Sequence, residues 1–326
     1  MRGPPSQEFT AARGGPWTPG RSPPVRALVI QHDHVTDPGP VGARLVERGY
    51  GLTVVTVVPE DRHHAPDVAF DFPAADAWDL VVSLGAPWSV YDETAVGPWI
   101  PGELALLRKA HHRGVPVLGV CFGAQALTTA LGGSVEASPR AEIGWVGIDT
   151  DDPSLIGPGP WFQWHYDRCV LPPGAAELAR NAVCPQAFRA GRSLGVQFHP
   201  EITAATVELY LANGGTEQCL QHGVDPGELL ARTRELETVA RGNAHRLVDA
   251  FLERVAGIRA GGSGGHTGRC TPRTMAAGSR GLRPPRRPGP AASPACCGSR
   301  GRRPRPAPGP PGRPGPARSP WPDRRR

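Results

Sequence analysis

One segment, Pro116-Val-Leu-Gly-Val-Cys-Phe-Gly-Ala-Gln125, constrains the fold more than any other. It reads as a buried strand over 115–120 that ends at Cys121 and passes into a helix over 122–131 with no loop between them. Such a turn brings the backbone almost into contact with itself. Gly119 and Gly123, two positions either side of Cys121, relieve that crowding. The helix N-terminus aims its free N–H groups and positive dipole end at the sulfur, which favours a thiolate. A cysteine after an apolar strand is equally compatible with an inert core thiol, so this segment specifies a geometry and leaves the chemistry open.

The surrounding sequence has the alternation that such a turn requires. Strands are expected over 25–30, over 52–58 closed by Pro59, and over 80–84; helices are expected over 41–48, ended by Gly49, and over 102–113. Alternating strands and helices imply a parallel α/β sheet with right-handed crossovers. After Gly133 the strands lie closer together (146–149, 161–164, 187–189, 194–198), which suggests an antiparallel or mixed edge. From Pro226 to Val255, Leu229, Leu236, Val239, Leu247, Phe251 and Val255 recur at helical spacing, predicting one or two amphipathic helices.

Charge divides the 326-residue chain into unlike parts. Residues 259–326 hold 16 Arg, 15 Pro and 13 Gly in 68 positions, with one Asp and, of Val, Ile, Leu and Phe, only Leu282. That segment cannot bury enough apolar surface to offset its ordering entropy and is expected to be disordered, as are residues 1–24. Residues 1–258 hold 20 basic against 29 acidic groups, a net charge of −9, although the whole chain is +6. A basic nucleic-acid-binding fold is therefore excluded, and no specific nucleic-acid partner is expected.

Residues 1–24 hold no apolar block of signal-peptide type, and no window approaches the ~18 apolar residues of a membrane span, so no membrane association is expected. Seven cysteines at irregular spacing, without paired C-x-x-C motifs, fit a reducing, cytoplasmic setting and give no zinc pattern. The adjacent pairs His63-His64 and His111-His112 diverge on a helix and add none, and Cys169, Cys184 and Cys219 read as structural thiols. No strand is followed by G-x-G-x-x-G and no G-x-x-x-x-G-K-[ST] occurs, so neither metal nor cofactor is expected.

A nucleophilic thiolate needs a base and a group to orient that base. Leu194-Gly-Val-Gln-Phe-His-Pro-Glu201 offers both at one strand end. In extended chain, residues two apart point to the same side, so Glu201 can reach a ring nitrogen of His199. Cys121, His199 and Glu201 then outline a Cys/His/Glu triad.

With these two motifs in the same chain, the sequence resembles the class I glutamine amidotransferases, and among them the small stand-alone members similar to the amidotransferase domain of GMP synthase. Further matches follow in order: Ser83-Leu-Gly-Ala-Pro-Trp-Ser-Val-Tyr-Asp92, Glu142-Ile-Gly-Trp145, Phe162-Gln-Trp-His-Tyr-Asp167 and Pro185-Gln-Ala-Phe188. The likeness spans about residues 27–211. It implies a flavodoxin-like, mostly parallel central sheet with helices on both faces, and hydrolysis of the glutamine side-chain amide through a Cys121 thioester. It also implies an oxyanion hole from the backbone amides of Ala86 and Phe122. Substrate contacts would come from Gln125 and Gly85, with supporting roles for His165, Asp167 and Trp145; Trp88 and Tyr91 could line the pocket or simply pack. The family usually has Gly-Gly-Pro where this chain has Gly85-Ala86-Pro87, and alanine resists positive φ. Activity would be weakened if that amide needed a left-handed backbone.

The synthase signature Ser-Gly-Gly-x-Asp-Ser is absent from the sequence. Three functions are thus open: a glutaminase subunit delivering ammonia to a separate synthase, a hydrolase of γ-glutamyl amides or peptides acting with water alone, and a catalytically weak amide-binding regulatory protein. One expectation is independent of that choice: truncation after Gly257 should leave activity and melting temperature unchanged. A large fall in melting temperature on truncation would mean that the basic segment is part of the fold.

Overall fold

The computed structural model describes residues 25–258. The expectations for residues 1–24 and 259–326 lie outside them.

The chain runs β1 (Val25–Gln31), α1 (Gly39–Glu47), β2 (Tyr50–Thr56), β3 (Leu80–Ser83), a short α2 (Glu93–Val96), α3 (Ile100–His112), β4 (Val117–Val120) and α4 (Phe122–Ala130). It continues with β5 (Ser134–Val146), β6 (Asp149–Thr150), β7 (Trp161–Val170), β8 (Ala176–Arg180), β9 (Pro185–Ala190) and β10 (Ser193–Val196). The last elements are α5 (Ala204–Tyr210), α6 (Thr216–Gln221) and α7 (Pro226–Ala250), which runs on into a wider turn over Phe251–Val255. Eight strands form one sheet in the order β2-β1-β3-β4-β10-β9-β8-β6. The first five are parallel; β9, β8 and β6 continue it antiparallel. The parallel part has the 2-1-3-4-5 order of flavodoxin-like folds. β5 and β7 form a separate antiparallel pair.

Strand alternation sorts the core into two layers. Ala27, Val29, Leu80, Val82, Leu118 and Val120 face one side with Val41 and Leu45 of α1 and Leu247 and Val248 of α7. Leu28, Ile30, Val81 and Val117 face the other with Leu106 and Leu107 of α3 and Phe122 and Leu127 of α4. Because both faces are covered, β3, β4 and β10 are buried along their whole length. A smaller cluster, with Phe162, Ile202, Val207, Cys219 and Leu229, packs beneath the β5–β7 pair. No helix among the described residues is long and apolar enough to cross a membrane.

The structure departs from the sequence expectations at the antiparallel edge. The strand expected over 146–149 is broken: β5 ends at Val146, the Ile148 N–H turns to the Pro158 carbonyl, and β6 holds only Asp149–Thr150. β5 is 13 residues long and its first half is largely exposed, so it lacks the apolar alternation that marks a strand. Its register shifts between Ala137 and Glu142, around Pro139, which cannot donate to the ladder. The C-terminal pattern is one continuous helix, docked on α1 by ion pairs from Arg44 and Arg48 to Asp249.

Phe251 is fully buried where α7 meets the sheet. Phe251→Ala should lower unfolding free energy by about 3–5 kcal/mol, read from denaturant titration. A loss under about 1 kcal/mol would mean that α7 is not part of the cooperative core.

Candidate active site

β4 ends at Cys121, and the turn into α4 is as tight as the sequence requires. Cys121 has φ 49° and ψ −107°, and among the described residues it is the one non-glycine with positive φ. Hydrogen bonds on both sides hold it there: the Cys121 N–H donates to Val196 of β10 (2.8 Å) and the Gly123 N–H to Leu84 after β3 (3.0 Å). A Cβ on Gly123 would lie 2.0 Å from the Ser83 carbonyl oxygen, and one on Gly119 would lie 2.6 Å from that of Gly123. No side chain larger than hydrogen fits at either place.

His199 follows β10 and is tied to β7, its N–H donating to the Phe162 carbonyl at 2.8 Å. Its Nδ1 lies 2.7 Å from Oε1 of Glu201, with both side chains buried. Burial opposes a charged ring, but the charges of Glu201 and Cys121 and hydrogen bonds to both outweigh it, and the His199 pKa is raised well above its usual value. Nε2 makes no well-aligned hydrogen bond, so the link to the sulfur is a loose one, as is common before substrate tightens such contacts. A Cβ on Gly85 would lie 2.9 Å from His199 Cε1 and 3.8 Å from Cys121 Cβ. Gly85 therefore brings the Gly85–Ala86 peptide against both residues.

Ala86 is not at positive φ, so alanine is accommodated in this backbone conformation without left-handed strain. Phe122 opens α4, where the first N–H groups have no intrahelical acceptor. Gln125 is buried one turn into the same helix; its Nε2 lies 3.5 Å from the Asp167 carbonyl oxygen and 3.4 Å from Gln197 Oε1. Asp167 accepts from Ser89 (2.5 Å) and Tyr91 (2.6 Å), which fastens the segment after β3 to β7.

Both nitrogens of His165 face protein partners, although Nε2 makes no well-aligned hydrogen bond. Nδ1–H donates to the Asp167 carbonyl at 3.0 Å, and Nε2 lies 3.2 Å from Glu142. Its connection to the site runs through Asp167. The Trp145 indole donates to Thr233 of α7 at 3.0 Å and packs edge-on to Phe162, whose ring also borders His199. Trp145 thus stands one ring removed from the imidazole. Trp88 packs in the core against Trp99.

Among the described residues one group could present three ligand atoms to a cation: Glu142, His165 and Cys184, within 4.8 Å of one another. Its carboxylate is already met by Asn181 (2.8 Å), Gln186 (3.1 Å) and His165. The cluster closes on itself and ties β5 and β7 to the β8–β9 turn.

Two features escaped the sequence reading. Gln197, 2% exposed, directs its Nε2 at the Cys121 sulfur from 3.6 Å; it stood inside a recognised motif, but its direction depends on register. The other is a wholly buried trio, His32, Glu103 and Ser83, whose Nδ1 end meets the Gly85 carbonyl. Its members are 51 to 71 positions apart from His32, and no spacing rule joins them.

Residues 41–214 match the family model of glutamine amidotransferase class-I. The chain belongs to that family. It is 38% identical over 157 residues to a GMP synthase [glutamine-hydrolyzing] of Aromatoleum aromaticum, covering 43% of this chain and 29% of that one. A GMP synthase [glutamine-hydrolyzing] of Thermosipho africanus is 32% identical over 166 residues, covering 47% of this chain and 31% of that one. The chain thus spans less than a third of the length of these curated relatives. Among solved structures, a glutamine amido transferase from Methylobacillus flagellatus superposes with a TM-score of 0.62 at 27% identity, covering 74% of this chain and 98% of that one. A glutamine amidotransferase from Thermotoga maritima gives 0.60 at 26% identity, covering 72% and 99%. The amidotransferase therefore contains nearly the full extent of two separately crystallised members of its family.

The four described cysteines of the chain differ in chemical setting. Burial pushes the Cys169 thiol up to about 12 and that of Cys219 to about 11, and burial with Glu142 raises Cys184 further. At pH 7.5 those thiols are ionised on the order of one part in 10³ or less. Of these four, iodoacetamide at that pH should modify Cys121 first, with Cys219 joining only as the pH approaches 11, read by peptide mass spectrometry. Equal labelling of Cys169 and Cys121 at pH 7.5 would contradict this ordering.

Proposed function

We propose that the protein is a glutaminase: Cys121 attacks the side-chain carboxamide of glutamine, and His199, oriented by Glu201, manages the protons. The Cys121 sulfur forms a bond to the carboxamide carbon, and the carbonyl electrons move onto oxygen to give a tetrahedral oxyanion. The N–H groups of Ala86 and Phe122 receive that oxyanion; one such donor contributes about 3–4 kcal/mol in a comparable hydrolase. Collapse breaks the C–N bond, and the nitrogen departs as ammonia with a proton from the His199 imidazolium. The same ring then takes a proton from water, whose oxygen attacks the γ-glutamyl thioester. Glutamate leaves and the thiol is restored.

The observation that carries this reading is the buried 2.7 Å contact of His199 with Glu201 beside a cysteine held at positive φ on a helix start. A side chain forced into that backbone conformation (about 1–3 kcal/mol) in a core of inert thiols would be a cost without a return. Gln197 adds a donor to the sulfur, Gly85 lies against His199 and Cys121, and Gln125 contacts Gln197. Glutamine is the substrate class favoured by the relatives, whose printed names include glutamine hydrolysis.

The near-complete coverage of separately crystallised amidotransferases favours a self-contained module. Its ammonia would go to a separate synthase subunit. The alternative, hydrolysis of γ-glutamyl amides or peptides with water alone, uses the same thioester. The third alternative, a catalytically weak amide-binding protein, loses its main motive now that Ala86 is unstrained.

Cys121→Ala should abolish glutamate release from glutamine while leaving the melting temperature within a few degrees, and a glutamine-analogue electrophile should add its mass to wild-type Cys121 alone. Turnover that appears on mixing with a synthase indicates the subunit; vigorous cleavage of γ-glutamyl peptides without one indicates the hydrolase. Glutamate release that survives Cys121→Ala would refute the mechanism.

A further inference from the structure

His32 directly follows β1, and its ring is completely buried. Nδ1 lies 3.0 Å from the Gly85 carbonyl oxygen, which can only accept, so Nδ1 carries a proton. Nε2 lies 3.0 Å from Oε2 of Glu103, on α3, and Oε1 of the same carboxylate accepts from Ser83 at 2.7 Å. Every one of these side chains is at 0% exposure. Burial opposes charge on the ring, but the charge and hydrogen bond of Glu103, with the Gly85 carbonyl and Asp33, outweigh it and raise the His32 pKa. The uncharged Trp99 and Phe122 rings complete its surroundings, at centroid distances of 5.6 and 4.7 Å.

The carbonyl that His32 grips belongs to the peptide unit whose other end is the Ala86 N–H. That peptide is trans, so its C=O and N–H point in opposite directions in one plane. Anchoring the oxygen on His32 therefore turns the Ala86 N–H away from β1, in the unit that Gly85 sets against Cys121 and His199. The same imidazole packs edge-on to Phe122, which supplies the other assigned oxyanion donor. Ser83 extends the unit to the elbow itself, since its Oγ would lie 2.5 Å from a Cβ on Gly123.

We propose that His32, Glu103 and Ser83 form a positioning unit for the oxyanion hole, in which an imidazolium held by Glu103 fixes the Gly85–Ala86 peptide and polarises it so that the Ala86 N–H is a stronger donor. Hydrogen bonds in series strengthen one another in a low-dielectric interior, and the charge at the carbonyl end is felt at the amide end. The proposal rests on the glutaminase reading. None of the three is a catalytic residue, because each acts on the oxyanion only through the peptide.

Glu103→Gln keeps shape and hydrogen-bonding capacity while removing the charge that holds the imidazolium. His32→Leu removes the anchor, and His32→Gln replaces it with a neutral donor. In the full chain, Glu103→Gln and His32→Leu should each lower kcat for glutamine by about 10-fold to 100-fold, with KM within about threefold. Iodoacetamide labelling of Cys121, which needs no oxyanion hole, should stay within about twofold. His32→Gln should recover part of the kcat lost in His32→Leu, and the His32→Leu/Glu103→Gln double variant should lose no more than the worse single one. Imidazole nitrogen NMR of the wild type at pH 6.5, where a free imidazole is about half protonated, should show His32 predominantly doubly protonated.

A neutral His32 in that spectrum would overturn the proposal, as would wild-type kcat in Glu103→Gln. So would losses that fall in KM or in Cys121 labelling, or that track a fall in melting temperature, since those mark an ordinary buried pair. A wild-type protein that releases no glutamate from glutamine, alone or with a synthase, overturns the glutaminase reading itself and this proposal with it; an active wild type with unimpaired variants overturns this proposal alone.

Discussion

The backbone at Cys121 is the constraint on which the site depends. Positive φ at a residue with a Cβ costs about 1–3 kcal/mol, and it persists only when its surroundings over-determine it. Here they do. Cys121 is bonded to β10, Gly123 is bonded to the end of β3, and α4 begins in the same step. The three central parallel strands thus converge on one turn, and the residues of the candidate site follow each of them: Gly85 and Ala86 after β3, Phe122 after β4, His199 after β10. The carboxyl ends of adjacent parallel strands are where an open α/β sheet gathers side chains from distant parts of the sequence. The buried character of β3, β4 and β10 and the location of the site are therefore two consequences of one topology.

Much of this was legible because the decisive geometry is local. A strand entering a helix without a loop, with glycine two positions to either side, can be inferred from ten residues. So can the approach of Glu201 to His199, which needs only the two-residue period of extended chain across Pro200. The apolar runs at β1, β3 and β4 were legible because a strand buried on both faces leaves no room for polar residues. What was not legible is what depends on register and on partners far away in sequence. β5 was invisible because its exposed first half carries Glu136, Pro139 and Arg140, so no apolar alternation marks it. The pairing of His32 with Glu103 is set by how α3 lies on β1 and β3, and β1 and α3 look like any amphipathic pair until they are packed.

Four buried imidazole–carboxylate contacts recur among the described residues: His32 with Glu103, His165 with Glu142, His199 with Glu201, and His63 with Asp33 at 3.5 Å. Removing two charges from water is expensive, and one partner alone would be worse, so each pair needs further hydrogen bonds to be tolerated. Ser83 and the Gly85 carbonyl do this for the first, Asn181, Gln186 and the Asp167 carbonyl for the second. The pairing is incomplete in the second and third: His165 Nε2, His199 Nε2 and Glu201 Oε2 are all buried without a well-aligned hydrogen bond. The His32–Glu103 pair leaves no side-chain polar atom in that state, and the His199 pair lies beside the sulfur.

That contrast bears on how a protein of this kind can hold a reactive thiol. A saturated pair resists movement, because shifting either group breaks several bonds in a medium where none can be replaced by water. In the proposed reaction, an imidazole without a fixed partner at Nε2 would shift its proton between the sulfur and a departing nitrogen with little rearrangement around it. Fixed neighbours with one mobile proton among them is what a reaction needs when an anion grows and collapses twice in one turnover, since donors already in place need no reorganisation at the moment of bond making. The elements that carry two of the other pairs flank the elbow: β1 and α3 lie on its β3 side, and β5 and β7 cover its β10 side through the Phe162–His199 bridge.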